Sequence, residues 1–163
     1  MTNAEIVRLT IINISAWLFI HLFCAWAGTK LPIRAFRPHS LLHKPLPFEK
    51  SGLLYERILR IKSWKNFLPD AAGWFKGGFQ KRKLGNADPA YLEKFREETV
   101  RGEVVHWIVF WAAGLFYFWN PAWVLKWMFL YSAIANLPCI ITQRYNRIRI
   151  ERIQERLNGI QNR

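Results

Sequence analysis

The sequence predicts an all-α integral membrane protein with about three transmembrane helices and additional amphipathic helices at the membrane interface. Three long apolar runs are separated from the segments that carry most of the charge, which is the pattern of membrane proteins. The 163 residues are 52% hydrophobic and include nine Trp. This length suits one domain, so residues 1–163 are predicted to form a single membrane domain.

The first apolar run, residues 6–27, is long enough for a helix that crosses about 30 Å of hydrocarbon. A cleaved signal peptide is the alternative. Against it, Glu5 stands in an N-terminal flank that is not basic, and the run exceeds the about 7–15 residues of a signal h-region. We therefore predict a retained transmembrane helix whose polar residues Asn13, Ser15 and His21 face other helices.

The second and third apolar runs form a predicted hairpin. Residues 104–119 are short for a straight span, Asn120 and Pro121 make a turn, and residues 122–142 are long enough to span. Pro138 lies inside the last run, where it is expected to kink the helix or free a carbonyl.

The region between the first run and the hairpin is basic and rich in aromatic residues. Residues 48–68 place apolar side chains on one helical stripe beside cations, which predicts a basic amphipathic helix lying flat on the bilayer. Packing of this helix on the protein's own core is an equally open alternative. Asp88 and Pro89 predict the start of a further helix, as N-cap and first helical residue. Only Gly102 opposes its continuation into the second run.

The basic residues also predict the orientation of the protein in the membrane. Residues 30–102 contain sixteen Lys or Arg, and residues 144–163 contain six. The positive-inside rule therefore places the basic region 30–102 and the basic C-terminal tail 143–163 in the cytoplasm. With three spans, the N-terminus lies on the other side.

The formal net charge of +13 indicates a polyanionic partner. The apolar runs favour membrane lipids, and no nucleic-acid recognition motif is present, so nucleic acid is not expected as a partner. No metal is expected either, because Glu103-x-x-His106 is only half of a di-iron site and has no second copy. The two Cys offer no metal spacing, and the chain has neither a His-x4-Asp motif nor a Gly-x-Ser-x-Gly elbow.

Thr99, Glu103 and His106 share one helix face where the second run begins. A carboxylate three residues before an imidazole can hold its tautomer and raise its basicity. His106 is therefore a candidate general base for a hydroxyl, with Glu103 as its partner. The alternative, an interfacial His that only satisfies a neighbouring group, is the commoner one. The tendency of ionisable residues in membranes to be functional supports the catalytic interpretation.

A second polar group lies at the cytoplasmic end of the third run. Asn136 falls about two turns inside the run, and the sequence Gln143-Arg144-Tyr145-Asn146-Arg147 follows it. Two Arg with amide neighbours suit a phosphate or a carboxylate. Ordinary positive-inside anchoring is the alternative and, for a generic chain, the favoured one.

Several motifs occur in a characteristic order: Gly28-Thr29-x-x-Pro32, Phe48-Glu49-Lys50, Trp64-Lys65, Glu98-Thr99-x-Arg101-x-Glu103-x-x-His106-Trp107, and Ile134-Ala135-Asn136-Leu137-Pro138 running into Gln143-Arg144-Tyr145-Asn146-Arg147. Together they cover most of the chain, and the last is the most specific. They resemble the glycosyl-4,4′-diaponeurosporenoate acyltransferase family. One departure is Ile148, where the pattern has Pro, and it concerns the path of the tail more than the chemistry.

The resemblance implies a multi-pass acyltransferase of the bacterial cell membrane that acts in the last step of staphyloxanthin-type carotenoid biosynthesis. Such an enzyme esterifies the glucose C6 hydroxyl of a glycosylated carotenoid with a long-chain fatty acyl group. Acyl-CoA or acyl carrier protein would be the acyl donor substrate, with no other cofactor. The alternatives are a different glycolipid acceptor, or a non-enzymatic membrane module that binds lipid or carotenoid. A homo-oligomer is an open expectation, since three spans are few to enclose two long lipids.

In the expected mechanism, His106 is oriented by Glu103 and takes the proton of the sugar hydroxyl, whose oxygen then attacks the acyl carbonyl. The remaining polar residues are expected to bind the substrates. The phosphates of the donor would be held by Arg101, Arg144 or Arg147. The oxyanion would be stabilised by Asn136, Gln143 or Arg101. Thr99 and Asn146 complete the expected binding set.

Overall fold

The computed structural model describes residues 2–32, 45–49, 52–68, 79 and 88–161. Within these residues the chain is helical and contains no strand, which confirms the all-α prediction. The four α-helices are α1 (Asn3–Lys30), α2 (Ile61–Trp64), α3 (Pro89–Trp111) and α4 (Ala122–Gln161). Shorter helical turns are a π-helical turn (Leu54–Ile58) and two 3-10 segments (Lys65–Phe67 and Ala112–Phe118). Much of the basic region 30–102, with Lys50, lies outside the described residues.

Helix α1 contains the whole first apolar run. Its start is a capping box, in which Thr2 Oγ1 accepts from the backbone N–H of Glu5 and the Glu5 carboxylate accepts from the N–H of Thr2 at 2.8 Å. By length and composition, α1 and α4 can each cross a membrane. Leu18 and Phe19 on α1 are 61% and 66% exposed, so this helix presents apolar side chains outward instead of to a protein core.

Helix α3 begins as the sequence predicts. The Asp88 side chain accepts from the N–H of Tyr91 at 3.2 Å, and Pro89 is the first helical residue. Gly102 does not interrupt the helix. A side chain at this position would meet the Gln143 carboxamide carbon at 3.0 Å, so Gly102 permits close packing of α4 against α3.

The second apolar run continues the helix that begins at Pro89, as the sequence allowed. Residues 104–118 fall on the end of α3 and on the 3-10 segment Ala112–Phe118, with Trp119 as its C-cap. Residues 122–142 and the tail form one continuous helix, α4, which passes through Pro138. Helix α3 packs along α4, with Val109 near one end of the contact and Phe95 against Ile150 near the other.

Residues 52–68 do not form the single amphipathic helix that the sequence predicts. Arg60 has a left-handed backbone with φ of 47°, which separates the π-helical turn from α2. Tyr55 and Ile61 are buried against Tyr145 and Ile148 of α4. Tyr55 and Ile61 thus pack on the protein's own core, which was the alternative to a helix lying on the bilayer.

Helix α1 docks on the hairpin through close and polar contacts. Trp17 stacks on Phe116 with ring centroids 4.6 Å apart. Asn13 exchanges hydrogen bonds of 2.9 Å with Asn120, as expected of a polar residue that faces other helices. The prediction also holds for His21, whose ring lies edge-on to that of Tyr131 on α4, and it is wrong for Ser15, which is exposed.

The close contact between α1 and α3 gives a test of the packing. A Cβ atom at Gly28 would lie 2.7 Å from Val105 Cγ2, and Val is stiff in a helix. We expect Gly28→Ala to lower the stability by about 1–3 kcal/mol, measured by thermal unfolding in detergent.

The matched control is Gly159→Ala on α4, where an added Cβ meets nothing within 4 Å. Ala favours a helix over Gly, so this variant should be neutral or slightly stabilised. Adding Val105→Ala to Gly28→Ala should restore part of the lost stability. Equal melting temperatures for the two glycine variants would contradict the close packing of α1 on α3.

Candidate functional site

A buried cluster of charged side chains joins α3 to α4. Glu103 is 2% exposed, and its two carboxylate oxygens accept from Arg144 Nη1 at 3.0 Å and from Arg147 Nη2 at 2.6 Å. Arg144 and Arg147 are three residues apart on α4 and therefore share one face of the helix. The structure thus pairs Glu103 with two guanidiniums, and its predicted role as the partner of His106 is replaced by this pairing.

Arg144 also connects this cluster to the segment that precedes the π-helical turn. Its Nε and Nη2 donate to the two oxygens of Glu49 at 3.0 and 2.7 Å, which is a bidentate ion pair. Glu49 further accepts from the Tyr55 hydroxyl and from the backbone N–H of Leu46. Arg144 therefore bridges two carboxylates and fixes residues 46–55 against α4.

The pKa values of Glu49 and Tyr55 reflect this arrangement. Burial alone would raise the pKa of Glu49, but the hydrogen bonds from Arg144, Tyr55 and Leu46 outweigh it and lower the pKa to about 2. Burial and the hydrogen bond to Glu49 raise the pKa of Tyr55 to about 12. Glu49 is therefore ionised and Tyr55 protonated at neutral pH.

The arginines expected to hold phosphate are already balanced by carboxylates. Arg144 and Arg147 face Glu49 and Glu103, and Arg101 is paired with Glu98 at 2.6 Å in a buried i, i+3 contact. These guanidiniums carry little excess positive charge. A donor phosphate would have to compete with a carboxylate at each of them.

Some polar atoms in the cluster are buried without a hydrogen-bond partner in the described part of the chain. They are Arg147 Nε, Arg147 Nη1 and Gln143 Oε1. Buried polar atoms are usually paired, so unpaired ones next to a candidate site mark where polar groups of a substrate could bind.

His106 belongs to a separate polar chain closer to the apolar half of the hairpin. Its Nδ1 lies 3.0 Å from Asn136 Oδ1, and Asn136 Nδ2 donates to the carbonyl of Ser132 at 3.0 Å. Ser132 is itself buried, and its hydroxyl donates to the carbonyl of Phe110 at 3.1 Å. The amide of Asn136 is thus oriented by Ser132 and presents its oxygen to His106.

This orientation determines which nitrogen of the imidazole is basic. Because Asn136 presents an acceptor, His106 Nδ1 carries the proton in the neutral ring, and the lone pair is on Nε2. An amide behind a catalytic histidine occurs in Cys-His-Asn proteases and fixes the ring in the same way. Asn136, expected as an oxyanion donor, therefore occupies the position predicted for Glu103.

The remaining predicted site residues lie in different surroundings. Thr99 is fully buried and donates to the carbonyl of Arg96 in its own helix, and Asn146 is buried at 6% exposure. Glu49, Tyr55 and Ser132 have no role predicted from the sequence. Glu49 belongs to the motif Phe48-Glu49-Lys50, and this motif was the available signal for its importance. No motif in the sequence pointed to Tyr55 or Ser132.

Known proteins of one family resemble this chain. A family model described as glycosyl-4,4′-diaponeurosporenoate acyltransferase matches residues 38–156. Two Staphylococcus aureus proteins of that name, from strains bovine RF122 / ET3-1 and USA300, are each 32% identical to the chain over 137 residues. The match covers 84% of this chain and 82% of each relative. The chain belongs to the glycosyl-4,4′-diaponeurosporenoate acyltransferase family.

Membership makes this protein an acyltransferase, which removes the non-enzymatic binding module from the alternatives. No solved structure matches the chain. The polar clusters of α3 and α4 lie within the matched residues.

Neutralising Glu103 tests whether it acts mainly as the counter-ion of the two arginines. Glu103→Gln leaves Arg147, which is 1% exposed, without an ion pair to a carboxylate of the described residues. Breaking a buried ion pair in this way costs about 3–5 kcal/mol, so the melting temperature in detergent should fall substantially. Glu155→Gln, at an exposed position on α4, is the control and should melt like the wild type. Normal stability of Glu103→Gln would show that the pair is unimportant to the fold.

The low pKa of Glu49 predicts a dependence of stability on pH. In the folded state the pKa of this carboxyl is about 2, whereas its ordinary pKa is 4.5. This shift corresponds to about 3 kcal/mol of folding stability at neutral pH. This stability is present above pH 4.5 and is lost as the pH falls towards 2.

Glu49→Gln should be less stable than the wild type at pH 7, and the difference should shrink between pH 5 and pH 3. Thermal unfolding in detergent across this pH range measures the effect. A constant difference between the two proteins over that range would contradict the assigned ionisation of Glu49.

Proposed function

We propose that this acyltransferase moves a long-chain acyl group from a thioester donor, acyl-CoA or acyl carrier protein, to a sugar hydroxyl of a glycosylated carotenoid. The names of the relatives support glycosyl-4,4′-diaponeurosporenoate as the acceptor. The observation that carries the proposal is the imidazole of His106, oriented by Asn136 at the junction between the apolar and the charged halves of the hairpin.

The proposed reaction is a direct transfer. His106 Nε2 takes the proton of the sugar hydroxyl while the hydroxyl oxygen attacks the thioester carbonyl. The tetrahedral intermediate collapses, the carbon–sulfur bond breaks, and the thiolate leaves with the proton from the imidazolium. Asn136 acts as a positioning residue that keeps Nδ1 protonated, so that Nε2 is the nitrogen that takes up the proton and gives it back.

Arg147 is the proposed stabiliser of the oxyanion. Glu103 holds one of its nitrogens, while Nε–H and Nη1–H are buried without partners in the described residues. Glu103 precedes His106 by one turn of α3, about 4.5 Å along the axis, so Arg147 reaches the neighbourhood of the base. One donor to an oxyanion can contribute about 3 kcal/mol to the rate. Gln143 Oε1 is a proposed acceptor for a second sugar hydroxyl.

The proposed location is the bacterial cell membrane, with the charged cluster on the cytoplasmic side. Helices α1 and α4 supply two spans by length and apolarity. Residues 104–118, part α-helical and part 3-10, extend about 25 Å and supply a third. Outward-facing apolar residues on α1 would contact lipid and the apolar body of the acceptor, whose sugar then lies near His106.

The His106→Ala variant tests the proposed base. The protein, purified in detergent, is given a long-chain acyl-CoA and the glycosylated carotenoid acid, and the ester is measured by mass spectrometry. We expect turnover to fall at least about a hundredfold, as for loss of a general base. Asn136→Ala should lower kcat about tenfold with little change in KM for the acceptor, since it misorients the ring without removing it.

His21→Ala is the matched control. His21 lies beside Trp17 on α1, and its Nε2 has no hydrogen-bond partner within the described ranges, so its loss leaves no partner unsatisfied. This variant should keep wild-type turnover. Near-normal turnover of His106→Ala would remove His106 from the chemistry. If the ester forms on another glycolipid but not on the carotenoid, the protein is still an acyltransferase, and the proposed acceptor is wrong.

A further inference from the structure

A cleft of about 370 Å³ lies between the short helical segments and the C-terminal half of α4, apart from the His106 site. Its lining includes three cations from two different parts of the chain. The lining residues are Glu56, Lys62, Lys65, Asn66, Tyr145 and Arg149.

Positive charge in this cleft exceeds negative charge. Glu56 is its one lining carboxylate among the described residues, and it already accepts from Lys62 at 2.7 Å and from the Tyr145 hydroxyl at 3.1 Å. No carboxylate in the described part of the chain forms an ion pair with Lys65 or Arg149. The cleft therefore differs from the cluster around Arg144, where each cation has a buried counter-ion.

Lys65 carries the clearest sign of this imbalance. Its ammonium lies 5.2 Å from the centre of the Tyr145 ring, on the wall of the cleft. Burial, and then repulsion from Arg149 and Lys62, lower the pKa of Lys65. An anion bound between Lys65 and Arg149 would remove this repulsion, and phosphate oxygens are the groups that such cations bind well.

The separation of the cleft from the proposed base along the axis of α4 suits a particular ligand. Arg149 follows Asn136 by thirteen residues on the same continuous helix, which corresponds to a rise of about 20 Å along the helix axis. The pantetheine arm of CoA, when extended, separates its thioester from its phosphates by a comparable length. A free phosphate or a lipid headgroup has no reason to match this spacing.

We infer that the cleft binds the phosphate groups of a CoA thioester donor through Lys62, Lys65 and Arg149, and so presents the thioester to His106. This inference rests on the proposed function. It places the donor phosphates on cations without buried counter-ions, in contrast to Arg101, Arg144 and Arg147, which are paired with carboxylates.

The test measures binding of free CoA to the full chain in detergent by calorimetry, beside the KM for acyl-CoA. The double variant Lys65→Gln/Arg149→Gln should weaken CoA binding and raise the KM about tenfold or more, with kcat largely unchanged. Lys65→Arg, which keeps the charge, should retain most of the affinity. Dephospho-CoA, which lacks the 3′-phosphate, should bind less tightly than CoA and lose less in the double variant.

The matched control is Arg57→Gln/Lys126→Gln, which removes the same net charge at two exposed positions outside the cleft. It should bind CoA like the wild type. Equal loss of affinity in both double variants would overturn the inference, since only the total charge would then matter. Wild-type protein that does not bind CoA would overturn it as well.

A further experiment distinguishes the CoA donor from membrane lipid. Vesicles of phosphatidylglycerol and of phosphatidylcholine are offered to the same variants without CoA. Weaker binding of the cleft variant to phosphatidylglycerol, with unchanged CoA affinity, would assign the cleft to anionic headgroups and overturn the inference.

The outcomes also distinguish failure of the inference from failure of the proposed function. If CoA binding depends on the cleft but no ester forms with any acceptor, the inference stands and the proposed function fails. If ester forms and the KM is unchanged in the cleft variant, the proposed function stands and the inference fails.

Discussion

The buried carboxylate of Glu103 is the constraint on which the rest of the described structure depends. It holds Arg144 and Arg147 of α4 against α3, and Arg144 in turn holds Glu49. An isolated charge buried to this degree would be very unfavourable, and it is tolerated only because each ion has its partner at hydrogen-bond distance. The four charges therefore fix the register between the two long helices and tie residues 46–55 to them.

This network also keeps the buried ion pairs apart from the proposed base, His106. Because both oxygens of Glu103 are used by guanidiniums, the histidine one turn away is oriented by a neutral amide, Asn136. The cations around Glu103 are balanced by carboxylates, whereas the cleft beside Lys65 and Arg149 has an excess of positive charge among its described lining residues. Base and phosphate site would then lie at two levels of one helix, separated by about the length of an extended pantetheine arm.

Helix α4 carries both the residue that orients the proposed base and part of the proposed phosphate site. Its 40 residues extend about 60 Å, twice the thickness of a hydrocarbon core. One half packs against the apolar end of α3 and against α1, and the other packs against the start of α3 and the short segments around Tyr55. The two halves of α4 thus carry an apolar surface and a charged surface on one helix.

The sequence by itself determined the features that depend on nearby residues. The apolar run of α1, the start of α3 at Asp88 and Pro89, and the motifs that show the family can all be read from local composition and spacing. The sequence could not show the break at Arg60 or the partner of Glu103. Spacing within α3 favoured a contact between Glu103 and His106, but an ion pair with arginines more than forty positions away is the stronger interaction. Only the tertiary structure decided that pairing, because it depends on how α3 and α4 meet, and no local pattern encodes the distance between two helices.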